Sequence, residues 1–315
     1  MRGEIGMKVV ICIPAYNEEK TIASVIREIS RDIAEEVEIV VIDDGSTDST
    51  FSEAKKAGAD VVVRFKKNRG LGSAFKAGIE KAIDLDADVL VTIDADGQYD
   101  PKEIPKLVKP VIDGNADIVL GSRFAGRIEE MPFQKRIGNL IATRVTSFLA
   151  GISISDAQTG FRAFSGEAML QLNMFADYTY VQETIIQAAN KRLLIAEVPC
   201  TFRKRRGGDS RLIASTFSYA KNAVAIVLKT YLRYKPLKTF LYIGGFILLA
   251  GIVTGLRVLI HYMQTGLVTP YYPTTILTAI LFIIGFQVIV LGLLADLIDG
   301  NRRIEEEILY RLKKR

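Results

Sequence analysis

The 315-residue sequence has no tryptophan, a single histidine (His261) and only two cysteines, Cys12 and Cys200. One histidine excludes hydrolases built on a serine–histidine–aspartate triad and metal sites built from several histidines. Two cysteines can form neither a disulfide framework nor a four-cysteine zinc site. Any metal ion must therefore be bound by oxygen atoms, which favours Mg²⁺ or Mn²⁺.

Two phosphate-binding signatures are also missing. No G-x-G-x-x-G follows the first predicted strand, which argues against a dehydrogenase, and no G-x-x-x-x-G-K-[ST] loop is present. The apolar content of 49% and the charged content of 24% are those of an ordinary globular chain and exclude intrinsic disorder.

Apolar residues are concentrated near the C-terminus. Two uncharged runs, Thr239–Leu256 and Thr274–Ala295, are each long enough to cross the ~30 Å hydrocarbon core of a bilayer as a helix. A short segment with Gly266, Pro270 and Pro273 joins them. This pattern predicts a transmembrane hairpin over 237–298, with spans at about 239–262 and 274–297. The alternative is a pair of buried core helices.

Charge around the two runs predicts their orientation. Ten Lys or Arg and one acid lie between Arg203 and Lys238, Arg302 and Arg303 follow the second run, and the connecting loop has neither Lys nor Arg. The positive-inside rule then predicts an integral membrane protein with two spans, its N-terminal domain and both termini in the cytoplasm. Because the positive charge is local to the membrane spans, membrane lipid rather than nucleic acid is the expected partner.

The first 235 residues alternate between strand and helix patterns, which predicts a mostly parallel α/β sheet. Predicted strands are Lys8–Ile13, Glu38–Asp43, Asp60–Arg64, Val89–Asp94 and Asp117–Gly121, and predicted helices are Glu19–Ile33, Ser49–Ala57, Leu71–Ile83 and Ile104–Asp113. Polar loops follow four of these strands, namely Pro14–Glu18, Asp43–Ser46, Asp94–Gln98 and Gly121–Arg123. Ligands bind at the carboxyl ends of strands in such sheets, so we expect these loops to meet at one edge.

The loop after the fourth strand is suited to binding a metal. Asp94 and Asp96 can direct two carboxylates into one pocket, and with Gln98 they offer hard oxygen ligands to a cation that keeps several waters. Such a cation neutralises a diphosphate and helps it leave. The alternative is a helix cap or a solvated turn.

Together, the motifs PAYNE, DDGS, DADGQ, GSR and D-x-x-T-G-F-R (Asp156 to Arg162) resemble those of the GT-A domain of glycosyltransferase family 2. Within that family the chain is similar to the polyprenyl-phosphate branch, which includes dolichyl-phosphate mannose and glucose synthases. The resemblance implies a Rossmann-like GT-A catalytic domain over residues 1–211. An interfacial amphipathic helix over 212–236, the transmembrane hairpin and a charged cytoplasmic tail over 299–315 would follow it.

The resemblance also implies roles for individual residues. The nucleoside pocket would be lined by Pro14, Tyr16, Glu18, Ile42 and Asp44. The diphosphate and its Mg²⁺ or Mn²⁺ would be held by Asp94, Ala95, Asp96 and Gln98, with Asp96 and Gln98 as direct ligands.

Basic residues complete the implied site. Arg123 would contact the donor sugar or the acceptor phosphate, and the pattern R-x-x-G-x-S, with Arg205 and Ser210, would clamp donor phosphates. Lys135 and Arg136 would approach the lipid phosphate. Glu183 lies roughly where polymerising relatives have a catalytic acid.

The implied reaction is an inverting transfer of a hexose from a nucleotide-sugar to a polyprenyl or dolichyl phosphate. A phosphate monoester is already ionised near pH 7, so it needs little help from a general base. Gly97 stands where mannose synthases often have leucine, which favours a UDP-hexose such as UDP-glucose over GDP-mannose.

Two alternatives remain open at this point. One is a polysaccharide or glycolipid synthase with another acceptor, but the chain lacks the tryptophan of Q-x-x-R-W and has too few spans for a channel. The other is an inactive membrane scaffold that binds a nucleotide. A two-helix membrane unit is also compatible with a homo-oligomer.

Apolar residues recur at helical spacing in two further segments. One stripe contains Ile137, Ile141, Val145 and Phe148, and the other runs from Phe217 to Tyr231. Each predicts either an interfacial helix that delivers a lipid phosphate or a helix packed on the sheet.

Overall fold

The computed structural model describes residues 6–174, 180–205 and 236–314. The strands are β1 (Lys8–Ala15), β2 (Glu36–Asp43), β3 (Val61–Arg64), β4 (Val89–Thr92), β5 (Ile118–Ile128), β6 (Arg162–Ser165) and β7 (Ile195–Phe202). The helices are α1 (Ile22–Glu28), α2 (Thr50–Lys56), α3 (Leu71–Asp84), α4 (Ile104–Ile112), α5 (Phe133–Ala150), α6 (Gly166–Gln171), α7 (Val181–Asn190), α8 (Pro236–Thr265) and α9 (Tyr272–Lys313). These residues form two compact units, 6–205 with 310–314, and 236–309.

The strands form one seven-stranded sheet in the order β3-β2-β1-β4-β6-β5-β7. All neighbouring pairs are parallel except those of β6, which runs antiparallel to both β4 and β5. The predicted mostly parallel α/β sheet is thus confirmed, and it contains one reversed strand. The first residue of β6, Arg162, pairs with the last residue of β4, Thr92. The loop before β6 therefore lies at the same edge of the sheet as Asp94 and Asp96, which follow β4.

Alternate residues of β1 enter opposite halves of the core. Val9, Ile11 and Ile13 pack with residues of α1 and α4 on one face, and Val10 and Cys12 pack with residues of α3 on the other. Both faces of the sheet are covered, so the central strands are apolar throughout rather than alternating with polar residues.

Two predicted boundaries are wrong. The fifth strand does not end at Gly121, because β5 continues to Ile128 and pairs with β7 beyond an irregularity between Ser122 and Arg127. Arg123 therefore lies within a strand and not in a loop. The first helix begins at Ile22 and ends at Glu28, because Ile29 adopts an extended backbone conformation.

The C-terminal unit contains α8 and α9, two helices that are long and apolar enough to be candidate membrane spans. Glycines bring the helices close together: a Cβ atom on Gly244 would lie 2.7 Å from Ile289 Cγ1. Thr278 Oγ1 also donates to Thr254 Oγ1 across 2.9 Å. The predicted tail is helical and continues α9 without a break as far as Lys313. The predicted interfacial helix at 212–236 lies outside the described residues except for Pro236, the first residue of α8.

Candidate active site

The turn after β4 carries both predicted metal-binding carboxylates. Gly97 has φ +73°, a conformation that favours glycine, and the Gln98 amide donates to Asp96 Oδ1 across 3.0 Å. These features close a tight turn from Asp94 to Gln98. A residue with a Cβ atom is disfavoured at this backbone conformation.

Asp94 lies directly over the backbone of the D-x-x-T-G-F-R segment. A Cβ atom on Gly160 would approach Asp94 Oδ1 to 2.8 Å, so a side chain at position 160 would displace the carboxylate. Burial, and next the negative charge of Asp96, raise the pKa of Asp94 to about 7. The two carboxylates are therefore a like-charge pair that a cation would stabilise.

Arg205 joins the strand ends of β1 and β4. Its Nη2 lies 2.7 Å from Glu18 Oε1, and its Nη1 lies 4.0 Å from Asp96 Oδ2. All three side chains are less than a quarter exposed. A guanidinium beside these carboxylates partly screens them and is also available to an incoming phosphate.

Arg203 holds the segment that carries Arg205 against the turn from Asp94 to Gln98. The Arg203 amide donates to the Gln98 carbonyl across 2.7 Å, and its guanidinium pairs with Glu28 at 2.8 Å and with Asp100. Gln98 Nε2 in turn reaches the Arg203 carbonyl at 3.4 Å. Sequence reasoning missed Arg203, because only the pattern beginning at Arg205 matched the family.

Arg123 is fixed by a buried carboxylate. Its Nε and Nη2 donate to the two oxygens of Asp156 across 2.7 and 2.8 Å, and its backbone amide donates to Oδ2 across 3.1 Å. Asp156 is fully buried, so the bidentate pair gives the guanidinium a single orientation. The structural partner of Arg123 is thus the first residue of the D-x-x-T-G-F-R motif, to which the sequence assigned no separate role.

Lys135 faces the same group of charges. Arg123 and Lys135 both lie over the ring of Phe202, at 5.2 and 6.0 Å from its centroid. Burial and the charge of Arg123 lower the pKa of Lys135. A phosphate between these cations would be bound strongly, because the site already concentrates positive charge.

Arg162, the last residue of the motif, has a structural position. It is fully buried and donates to the carbonyls of Thr159, Val181 and Ala157. Its bonds tie the loop before β6 to the start of α7. This arginine is therefore part of the framework that supports the site.

The predicted nucleoside pocket is only partly open. Tyr16 is 37% exposed, whereas Ile42 is fully buried in the core, so its side chain faces α3 and only its backbone borders the site. Asp44 accepts amide bonds from Arg69 and Gly70 at 2.7 and 2.9 Å, and burial raises its pKa. Asp44 thus orders the loop before α3 and keeps free lone pairs for a ligand.

The remaining predicted residues have varied positions. Pro14, near the end of β1, and Ala95, in the turn after β4, are buried. Arg136 is exposed on the first turn of α5. Glu183 is half-buried on the first turn of α7. Ser210 lies outside the described residues.

The site chemistry fits Mg²⁺ or Mn²⁺ rather than a softer metal. Asp94, Asp96 and Gln98 offer only oxygen donors that suit a hard cation. Within the described residues no group of three or more His, Cys, Asp or Glu side chains is arranged for a metal. The bound cation would therefore complete its shell with water or ligand oxygens, as Mg²⁺ commonly does.

A sequence profile described as glycosyl transferase family 2 matches residues 10–172, more than half of the chain. The chain belongs to glycosyl transferase family 2. A second profile, described as the GtrB C-terminal hairpin, matches residues 235–299. The expected family and the presence of an apolar C-terminal hairpin are thereby confirmed.

Several known glycosyltransferases are similar to this chain over most of their lengths. Glycosyltransferase AglJ from Haloferax volcanii is 32% identical over 94% of this chain and 97% of its own. A dolichyl-phosphate hexose transferase from the same organism is 33% identical over 71% and 95%, respectively. A UDP-N-acetylglucosamine–dolichyl-phosphate N-acetylglucosaminyltransferase from Methanococcus voltae is 34% identical over 60% and 83%.

Solved structures of another glycosyl-transferring enzyme share this fold. Glucosyl-3-phosphoglycerate synthase from Mycobacterium tuberculosis, crystallised with Mn²⁺, UDP-glucose and phosphoglyceric acid, has a TM-score of 0.58 and 25% identity. The likeness covers 71% of this chain and 80% of that one. The same synthase has also been crystallised with Mg²⁺ and UDP.

Proposed function

We propose that this glycosyltransferase transfers a hexose from a nucleotide-sugar to a polyprenyl or dolichyl phosphate at the cytoplasmic membrane surface. The proposal rests on one observation: two carboxylates and three cationic side chains lie at the same edge of the sheet. The carboxylates of Asp94 and Asp96 suit a metal-bound diphosphate, and the cations of Arg123, Lys135 and Arg205 suit a second phosphate. The dolichyl-phosphate transferases among its relatives support a lipid acceptor.

The donor is proposed to be a UDP-hexose. Support comes from a relative whose name specifies UDP-N-acetylglucosamine and from a fold neighbour crystallised with UDP-glucose. GDP-mannose is the competing donor, because polyprenol and dolichol mannosyltransferases are also relatives.

We propose that Asp94, Asp96 and Gln98 hold Mg²⁺ or Mn²⁺ against the donor diphosphate, where the cation stabilises the leaving group. Arg205 moves from Glu18 and Asp96 toward the donor phosphates and supplies further positive charge. Arg123, oriented by Asp156, and Lys135 bring the acceptor phosphate in line with the anomeric carbon despite its repulsion from the diphosphate. One direct displacement then inverts the anomeric centre, with no covalent enzyme intermediate.

The lipid is proposed to approach along α5. Phe133 and Phe148 are 75% and 76% exposed, and Ile137, Leu140 and Ile141 between them are also exposed. Lys135 on the same helix faces the carboxylate pair, so α5 joins an apolar surface to the cationic site. This favours the interfacial interpretation of the stripe over packing on the sheet.

The test is a transfer assay on the full chain in detergent with Mg²⁺ or Mn²⁺. Labelled UDP-glucose, UDP-N-acetylglucosamine and GDP-mannose are each offered with a polyprenyl phosphate. We expect metal-dependent label in the lipid phase from one donor. The Asp96→Ala variant should lose at least ~100-fold in rate, while Asp113→Ala, which alters an ion pair at the end of α4, should keep it.

Two results would overturn the proposal. Nucleotide-sugar binding without lipid product from any donor would favour a nucleotide-binding scaffold. Transfer to a growing saccharide instead of to the lipid phosphate would favour a polysaccharide or glycolipid synthase.

A further inference from the structure

Two glutamines beside the site have amide groups that are only partly satisfied. Gln182 Nε2 donates to Gln158 Oε1 across 3.3 Å. The other two amide atoms, Gln158 Nε2 and Gln182 Oε1, are buried and have no hydrogen-bond partner among the described residues. The unpartnered nitrogen is a hydrogen-bond donor and the unpartnered oxygen is an acceptor. If both amides were flipped, so that N and O changed places, one donor and one acceptor would still be left without a partner.

Both glutamines are attached to the segment that supports the reacting groups. Gln158 lies two residues after Asp156, which orients Arg123, and its amide donates to Asp156 Oδ1 across 3.1 Å. It also lies two residues before Gly160, on which the Asp94 carboxylate rests. Two residues of chain span at most ~7 Å, so Gln158 is close to both functional groups.

The start of α7 is held at the same point. The Tyr180 hydroxyl donates to the Gly160 carbonyl across 3.2 Å, and Tyr180 immediately precedes α7. Gln182 follows two residues later, in the first turn of the helix. Gly160 thus lies beside the Asp94 carboxylate, in the loop that contains Gln158, and its carbonyl bonds the residue that precedes the helix with Gln182.

The buried donor and the buried acceptor together require a partner that both accepts and donates a hydrogen bond, a requirement that water also meets. A hydroxyl group meets it, because the oxygen accepts one hydrogen bond while its own hydrogen is donated to the other amide. A phosphate oxygen does not, because an ionised phosphate offers acceptors only. Neither amide carries charge, so the pair suits a neutral polar ligand beside a cluster of charges.

We propose that Gln158 and Gln182 form a subsite that binds a hydroxyl group of the hexose in the donor, and that this contact selects the sugar. The inference rests on the proposed function, because it needs a nucleotide-sugar whose anomeric carbon lies near Asp94. The two residues are specificity-determining: they hold the sugar ring and do not themselves take part in bond exchange.

The first experiment measures how much the sugar adds to donor binding. Calorimetry on the full chain in detergent with Mg²⁺ compares UDP-glucose with UDP, UDP-N-acetylglucosamine with UDP, and GDP-mannose with GDP. The variants are Gln158→Met and Gln182→Met, which keep side-chain length and remove the amide. Gln171→Met, in α6, is the matched control, since that amide bonds Glu167 within its own helix.

We expect the preferred nucleotide-sugar to bind more tightly than its diphosphate in the wild type and in Gln171→Met. Each site variant should lose roughly 10-fold of this sugar-dependent affinity and keep nucleoside diphosphate affinity within about 2-fold. Thermal melting of each variant identifies any that is misfolded. In that event Gln158→Glu, which keeps the acceptor and changes the donor, replaces it.

The second experiment assigns the contact to one hydroxyl. The wild type should lose roughly 10-fold in kcat/KM with the deoxy donor that lacks the bound hydroxyl, while the double glutamine variant should lose nothing further with that donor. Two results would overturn the subsite. One is that the losses from the glutamine substitutions and from the missing hydroxyl add fully with every deoxy donor. The other is that both single variants keep the wild-type sugar-dependent affinity. Because the calorimetric measurement of sugar-dependent binding needs no lipid, a failed lipid-transfer assay leaves the first experiment decisive.

Discussion

At the scale of single residues, the site consists of charges that constrain one another. Burial and the negative charge of Asp96 raise the pKa of Asp94, and the guanidinium of Arg205 lies near the Asp96 carboxylate. Arg123 is held in one orientation by Asp156. A bound cation would change the protonation of Asp94 because it opposes both causes of the raised pKa.

Metal binding should therefore release a proton through Asp94. Below pH 7 the Asp94 carboxyl is mostly protonated, so Mn²⁺ must displace that proton and its apparent affinity should rise with pH until about 7. Calorimetry in buffers of different ionisation heat should show proton release near pH 6 and little at pH 8. The Asp94→Asn variant should bind Mn²⁺ more weakly and show no such pH dependence.

The same shift predicts how stability depends on pH without metal. The folded-state pKa of Asp94, about 7, lies above its unfolded value of about 3.9, so the folded state binds more protons between these values. The contribution of Asp94 is fully present below pH 4 and is lost as pH rises through 7. Urea unfolding of Asp94→Asn should lack this component, and an identical pH profile for wild type and variant would contradict the raised pKa.

At the scale of elements, the segment after β7 is the least expected part of the site. Arg203 joins the end of α1, the metal-binding turn and the segment leading to Arg205 through Glu28, Gln98 and Asp100. The ionised side chains of Arg203, Glu28 and Asp100 are between 19% and 26% exposed. The ion pairs of Arg203 are therefore less screened by water than those of the adjacent Lys204, which is 73% exposed.

Arg203→Ala should lower the free energy of unfolding by about 1–3 kcal/mol, because it removes the cation that pairs with two partly buried carboxylates. It should also raise the KM for metal, since Gln98 loses its support. Lys204→Ala is the matched control, and its exposed pair with Glu130 should contribute less than about 1 kcal/mol. If the two variants changed the free energy of unfolding equally in urea, the proposed stabilising role of Arg203 would be refuted.

The hairpin offers a second matched comparison, because two neighbouring glycines differ in their surroundings. A Cβ on Gly244 would meet Ile289 at 2.7 Å and the Gly285 carbonyl at 2.9 Å, whereas one on Gly245 would meet nothing within 4 Å. Gly244→Ala should destabilise the hairpin by about 1–3 kcal/mol through overpacking. Gly245→Ala should be neutral or stabilising by up to about 1 kcal/mol. Thermal melting in detergent measures both.

Much of the fold can be predicted from local sequence, because β1, β2, β4 and α3 carry their periodicity within a few residues. The reversed β6 cannot, since its four residues pair with β4 and β5 far away in the chain. The continuation of β5 past Gly121 likewise depends on pairing with β7. In the site, strand ends and motifs identify Asp94, Asp96 and Arg205, but the partners of Arg123 and Arg203 require tertiary structure.

At the scale of the whole molecule, the chain combines a charged catalytic edge with an apolar hairpin. Lys and Arg residues precede α8, Arg302 and Arg303 follow the second apolar run within α9, and the loop between the helices has no Lys or Arg. Under the positive-inside rule this asymmetry predicts that the loop faces away from the cytoplasm.

Cysteine labelling tests this orientation. Cys12 and Cys200 are buried, so they should contribute little background. In intact cells a membrane-impermeant maleimide should label Leu267→Cys in the connecting loop and should not label Gly300→Cys until the membrane is opened. The reverse pattern would mean that the catalytic domain lies outside.

The reversed strand also has a consequence for biosynthesis. Thr92 bonds the Gly160 carbonyl, 68 residues later in the chain, and Glu18 bonds Arg205, 187 residues later. The proposed donor site is therefore incomplete until residue 205 has been made, only a few tens of residues before the first apolar run at Thr239. At translation rates of roughly 5–20 residues per second, synthesis advances from one to the other in about 2–7 s. Under the proposed function, the growing chain would complete its nucleotide site and begin membrane insertion almost together.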